Sequence, residues 1–333
     1  MTQTRIKNIF FLIGVVAVVM MLLTFEVSFV ELWGYIWQAG YWLIAILALW
    51  GVLYVLNTWA WKVIIQGSGD CPVGFWYLLK LTVSGFALNY TTPIGLLGGE
   101  PYKIMEMTRH IGVQRATSSV VLFAMMHVFA HLCFWASSVL LYLALAIGGV
   151  LPMNVGTALV LLFVAVFCSF GIYLFIRGYR YGLVSRLISV VSRIPCLHKW
   201  GNRMLEQYSE ELARIDAQIA ELHSQERWTF YKSLLIEYVG RVCQSFEIMF
   251  ILLLFDYSGD MTFAFSFLIL SFTSLFANLL GFLPLQLGGR EGGFAISVST
   301  LGMTSALGMF ISIICRVREL FWAVVGLVMM KIK

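Results

Sequence analysis

Charge is what this sequence has least of. Asp, Glu, Lys and Arg make up 12% of its 333 residues, against 60% hydrophobic residues, and the mean hydropathy is +0.88. A soluble domain of this length keeps a polar coat, so the shortage excludes a soluble globule. Its apolar runs of 18 or more residues lack the strict alternation of barrel strands, which leaves helices as the membrane-spanning structure. Metal-ligand spacing is missing too. The six cysteines (Cys71, Cys133, Cys168, Cys196, Cys243, Cys315) are dispersed and read as small apolar residues, with no disulfide framework and no zinc site. There is no nucleophile elbow, Walker loop or dinucleotide fingerprint, so nothing points to ATP hydrolysis or to a cofactor. No small-x-small cleavage site follows Arg5, Lys7 and the apolar stretch after them, so that stretch is predicted to be a first membrane helix.

The clear predicted spans are 8–25, 41–65, 118–143, 155–177, 231–255 and 305–330. Two further apolar stretches, 75–102 and 261–303, are interrupted by Gly and Pro. If both simply crossed the bilayer, Lys103, Arg109, Arg115 and the polar stretch from Arg177 to Lys232 would lie outside, against the positive-inside rule. If both turn back as re-entrant hairpins, those residues fall inside with Arg5, Lys7, Lys62, Lys331 and Lys333. The outer loops, 26–40, 144–154 and 256–260, then hold Glu26, Glu31, Asp256 and Asp260 without a single Lys or Arg. The expected architecture is therefore all-α: one membrane domain over 1–333, with about six transmembrane helices and two oppositely oriented hairpins. Residues 41–143 and 231–330 become inverted repeats, a pattern that points to a midplane binding site. Between the repeats, 178–230 is predicted as a cytoplasmic segment. Its start (Arg180, Arg186, Arg193, Lys199) suits an interfacial helix, and its second half is that of a solvated helix. The scattered basic residues behind the net charge of +5 orient a membrane protein and do not indicate nucleic acid.

The candidate chemistry sits in the two hairpins. In the first, Asn89 precedes Pro93 and Gly95, which break the entering helix; Gly98 and Gly99 let the backbone turn. Pro101 suits the first turn of a new helix, with Glu100 at its positive end and Lys103 one turn on. Free N–H groups at such a start favour an anion. The second hairpin repeats the grammar: Pro284, then Gly288 and Gly289, then Arg290 and Glu291. Charges also fall inside predicted spans: Glu237, Arg241 and Glu247 on one, Arg316, Arg318 and Glu319 on another. Each costs at least about 2.5–3.5 kcal/mol to insert, so such groups line a pathway or pair internally. Glu237 and Arg241, four apart, can pair on one face, and arginine suits bidentate contact with a phosphate. His127 and His131 are also four apart and read as polar helix packing, since no Cys or carboxylate ligand accompanies them nearby in sequence.

Pro93 through Lys103 with the basic run behind it, Leu283-Pro284 through Gly293, and Arg316 resemble the transmembrane region of the lysylphosphatidylglycerol synthase/flippase family. The resemblance covers essentially the whole chain. It implies movement of lipids across the inner membrane, aminoacylated phospholipids being the best-known cargo. Members that also make the lipid carry a soluble synthase domain after the membrane part; this chain ends at Lys333, so that activity is expected to be absent. Where the family often has a Glu-Arg pair and an Asp, this chain has Phe123, Ala124 and His127, and Lys103 replaces the family's usual Arg.

The expectation is a non-enzymatic, flippase-like transporter in the inner membrane with both termini cytoplasmic. Its cargo would be an anionic or aminoacylated phospholipid or another lipid-linked head group, and a homo-oligomer is compatible with the sequence. Two alternatives stay open: an intramembrane lipid-modifying enzyme with Glu100 or Glu291 as general base, and a membrane partner of a glycosyl- or acyltransferase.

Overall fold

The computed structural model describes residues 29–91, 98–181, 227–279 and 289–332, with the isolated positions 12, 210 and 213. The predicted first helix, 8–25, and the predicted cytoplasmic segment, 178–230, fall almost wholly outside the described residues, as do Pro93, Pro284 and Gly288.

Nine helices and no strands make up the described residues: α1 (Phe29–Gly67), α2 (Phe75–Thr91), α3 (Gly99–Ile111), α4 (Val113–Ile147), α5 (Val155–Tyr181), α6 (Arg227–Leu254), α7 (Thr262–Leu279), α8 (Gly289–Thr300) and α9 (Ser305–Lys331). Four are long and apolar enough to cross a membrane by length and composition alone: α1 from Ala39, α4, α5 as far as Arg177, and α7. α6 and α9 are not among them because each carries charges in its middle.

Element limits follow local chemistry more than apolarity. The first interrupted stretch was expected to end at 102, yet α3 continues to Ile111. Glu100 in its first turn and Arg109 in its last suit the helix dipole, and no breaker intervenes before Gly112. Gly112 has φ +79°, where an L side chain is strained, and it separates α3 from α4. α4 then runs 35 residues, well beyond the expected 118–143.

Within each hairpin the second helix turns back along the first. Gly99 lies against Gly85 and the Tyr77 hydroxyl donates to Glu106 (3.0 Å), so α2 and α3 are antiparallel. Thr273 donates to Ser297 (3.2 Å) and Gly293 touches Phe276, which sets α7 against α8 in the same way. α9 seats both hairpins through glycines. A Cβ at Gly308 would stand 2.8 Å from Ala295 of α8, and one at Gly326 would stand 2.5 Å from the Val83 carbonyl of α2. α1 lies along α6, with Trp42 stacked on Phe250, and α5 packs on α4, with Phe129 stacked on Phe175 at 4.2 Å.

The helix contacts have an internal correspondence. Exchanging α1–α4 for α6–α9 maps α1/α2 onto α6/α7, α2/α3 onto α7/α8 and α3/α4 onto α8/α9. It also maps α4/α6 onto α9/α1 and α4/α7 onto α9/α2, while α1/α6 maps onto itself.

The two ends of the bundle differ in charge. At one end Arg115 donates to the carbonyls of Ile65 and Asp70, and Lys80 donates to the Ile332 carbonyl. Lys62, Arg109 and Lys331 lie at the same end, where α1, α3 and α9 finish. The opposite end has the connections 148–154, 255–261 and 301–304. It carries Asp256 and Asp260 and, among the described residues, no Lys or Arg. The outer faces are apolar: Leu159, Leu162, Phe163, Val166 and Phe170 of α5 all point outward.

Candidate functional site in the polar interior

Glu237, Arg241, Gln244 and Glu247 follow one another on α6 at spacings of four, three and three, which places them along one face. That face organises two groups of charges. Along the helix, Glu237 and Glu247 are about 15 Å apart at the ideal rise per residue.

The first group joins the first hairpin to α4 and α6. The Asn89 side chain caps α3: its Oδ1 accepts the Gly99 N–H at 2.6 Å, and its amide donates to Glu100 at 3.1 Å. One of the N–H groups at this helix start, that of Gly99, is thus taken by Asn89. Gly98 and Gly99 are buried, and a Cβ on Gly99 would stand 2.1 Å from the Gly85 carbonyl. Lys103 is 5% exposed and reaches Glu100 at 3.7 Å. Its ammonium lies 5.8 Å from the ring centre of Trp61 and 5.3 Å from that of Phe123, the aromatic faces that let a cation be buried here. Glu237 and Arg241 meet at His127 of α4. The imidazole Nδ1 is 2.8 Å from Glu237 Oε2, Arg241 contacts the same ring, and Arg241 also donates to Gln244 at 2.8 Å. The direct pairing expected from their spacing is replaced by a pairing through histidine. His127 packs α4 on α6, as a polar packing residue does, and also belongs to the charge cluster.

The second group joins the second hairpin to α1, α6 and α9. Arg290 pairs with Glu319. Arg316 holds Glu291 through two donors, at 2.7 and 2.5 Å, and Ser312 adds a third at 3.4 Å. Arg318 is 1% exposed; it donates to Glu247 at 2.9 and 3.2 Å and to Glu319 at 3.3 Å. Trp50 of α1 donates to Glu247 at 2.9 Å. Tyr90, next to Asn89, lies in the field of Glu319, Arg316 and Arg290, so the end of α2 touches both groups.

Of the basic residues singled out in the sequence, Lys103 and Arg241 belong to the first group and Arg290 and Arg316 to the second. Gly289 opens α8 and is buried. Sequence reasoning misses Glu247, Arg318, Glu319 and Trp50 as site residues; the α6 stripe is the signal that could have added Glu247. Some buried polar atoms lack partners among the described residues: Glu100 Oε2, Glu237 Oε1, His131 Nδ1 and Arg316 Nη1. They are not alone: Trp61 Nε1, Glu106 Oε1 and Glu319 Oε2 are in the same position. To one side, an apolar cavity of about 340 Å³ opens between α4, α5, α7 and α8, lined by Leu161, Val164, Phe272 and Ile296.

Residues 10–326 match the family model of the lysylphosphatidylglycerol synthase TM region. Comparison with curated proteins and with solved structures gives no match.

Proposed function

Since the chain belongs to the lysylphosphatidylglycerol synthase TM region family, we propose that it is a flippase-like transporter of an anionic or aminoacylated phospholipid in the inner membrane. The observation that carries this reading is the collection of ionised side chains from both hairpins inside a bundle whose outer surface is apolar. In this reading both hairpins are re-entrant, about six helices span, and both termini are cytoplasmic. The correspondence of helix contacts and the charge difference between the bundle ends support inverted repeats.

The ion pairs suggest how a head group is accommodated. A lipid phosphate competes with Glu291 for Arg316, whose fork geometry suits either anion and whose Nη1 has a donor to spare. An amino group on the lipid competes with Lys103 for Glu100, whose Oε2 has no partner among the described residues. Exchanging an internal partner for a ligand partner keeps the buried charges balanced, which a low-dielectric interior requires. The acyl chains stay in the bilayer, with the lateral apolar cavity beside the second hairpin available to one of them.

Purified protein in liposomes containing headgroup- or chain-labelled phosphatidylglycerol and lysyl-phosphatidylglycerol tests this. Lipid relocated between leaflets and chemically unchanged supports transport. Chemically altered lipid points to the enzymatic alternative, with Glu100 or Glu291 as base. Lipid neither moved nor altered favours a partner role beside a glycosyl- or acyltransferase.

A further inference from the structure

The correspondence between the halves leaves one helix over. α1–α4 exchange with α6–α9, while α5, packed on α4, has no counterpart. Between α5 and the second hairpin lies the lateral cavity of about 340 Å³, so one wall of this cavity is unmatched in the other half. Leu161 and Val164 form the buried α5 wall, and Phe272 and Leu275 face it from α7. Val160 and Phe163 of α5 and Ile296 of α8 are each more than half exposed, so the cavity opens sideways, on the apolar face that α5 turns outward. It is a slot lying along the helices. On α8 its lining runs from Gly293 to Thr300, about 10 Å at the ideal rise per residue.

The slot has a direction and a chemistry. Thr157 stands near the start of α5 and Thr300 at the end of α8, next to the connections 148–154 and 301–304 of the acidic end. Leu279, which ends α7, and Gly293, near the start of α8, close it at depth. Four side chains of the lining carry polar atoms, and each is engaged within the protein. Tyr142 donates to the Pro152 carbonyl at 3.0 Å, Thr157 to Asn154 at 3.1 Å and Thr300 to the Ile296 carbonyl at 2.8 Å, while Ser297 accepts from Thr273 at 3.2 Å. No side chain of the wall needs a hydrogen bond from a ligand, which disfavours a head group and favours hydrocarbon. Water is a poor occupant for the same reason.

We propose that this slot binds one acyl chain of a phospholipid from the leaflet at the acidic end, with the ester and head group outside it, beyond Thr157 and Thr300. Its mouth faces hydrocarbon, and a chain lying along the helices supplies the dispersion contacts that a gap between α5 and the hairpin forfeits. A helix of a partner or of a second copy is about 10–12 Å across with its side chains, too thick for a slot of this volume and length. Occupation by a chain stands on the wall and the mouth alone. Its part in transport rests on the transport reading, in which the acidic end is the outer one. The slot then holds a lipid of the outer leaflet before or after its head group meets Glu291, two residues from Gly293.

The test uses the full chain in phosphatidylcholine vesicles doped with phosphatidylglycerol that carries a diazirine on one acyl chain. After irradiation, lipid adducts are located by peptide mass spectrometry. The expected result is adducts on Leu161, Val164 and Leu275 that saturate as the labelled fraction rises, while adducts on the outward Val166 and Phe170 keep rising in proportion. Unlabelled phosphatidylglycerol should remove the saturable adducts, and the chain-free glycerophosphoglycerol should leave them. Val160→Trp with Ile296→Trp, both at the mouth, should abolish them and spare those on Val166 and Phe170. If the pair does not fold, Val160→Trp alone is read in the same way. No adducts within the slot, adducts that never saturate, competition by glycerophosphoglycerol, or saturable adducts that survive the mouth substitution each overturn the chain site. Movement of labelled phosphatidylglycerol in the same vesicles separates the two ideas. Saturable slot adducts without movement retire the transport reading and keep the site, and movement without them does the reverse. With both in place, the mouth substitution slows movement.

Discussion

Arg318 lies over Trp50, its guanidinium carbon 3.7 Å from the ring centre, and both side chains donate to the same carboxylate, Glu247. Three helices, α1, α6 and α9, are thereby tied at one buried point. Removing one partner leaves the others with uncompensated charge, at about 3–5 kcal/mol for a buried pair, while removing both charges costs less. Glu247→Met should therefore lower the unfolding temperature of the detergent-solubilised protein more than the double variant Glu247→Met with Arg318→Met. Equal or larger loss in the double variant would show that the pair contributes net stability.

The glycine contacts make a second expectation. Gly99→Ala drives a methyl to 2.1 Å from a carbonyl oxygen, and Gly326→Ala drives one to 2.5 Å from another. Backbone cannot yield as a flexible side chain does, so each should destabilise by at least the roughly 1–3 kcal/mol typical of overpacking. Gly240→Ala, with nothing within 4 Å of the new methyl, should be neutral in the same thermal assay. Comparable loss at position 240 would remove the steric explanation.

Lys103 and Glu100 form the ion pair nearest the start of α3. A charge-assisted contact contributes about 1.5–3 kcal/mol, so Lys103→Met or Glu100→Gln should slow lipid movement by roughly ten- to a hundredfold, with folded protein retained. Reconstituted transport checked against gel-filtration profiles decides it. Full-rate movement in both variants would take this pair off the lipid path.

Topology can be read chemically. In a background without the native cysteines, a cysteine at position 109 should resist a membrane-impermeant maleimide added from outside, and one at position 256 should react. Labelling at 109 with protection at 256 would end the re-entrant arrangement.

Much of this fold is legible in the order of residues along the chain. The helices α5, α6 and α9 begin and end within a few residues of the apolar runs that predict them, because helix formation in lipid depends on local composition. The helix starts at Gly99 and Gly289 are legible too, since a Gly-Gly pair followed by a Glu is a local signal. The extension of α3 to Ile111 is not legible, because its continuing residues are polar and only the positive φ of Gly112 stops it.

The sequence by itself determined the helical class, the family resemblance that the match over most of the chain upholds, and that Glu237, Glu247, Arg316, Arg318 and Glu319 lie within the bundle. Only tertiary structure decided how those charges divide. Spacing along one helix suggested Glu237 with Arg241, yet the fold inserts His127 from a helix 110 residues away. Arg290 read as a charge of the second hairpin loop, and the fold gives it Glu319 of α9 as its partner. The reason is physical: a buried charge takes whatever opposite charge packing brings within about 4 Å, and for Arg290, Arg316 and Glu247 that neighbour belongs to another helix.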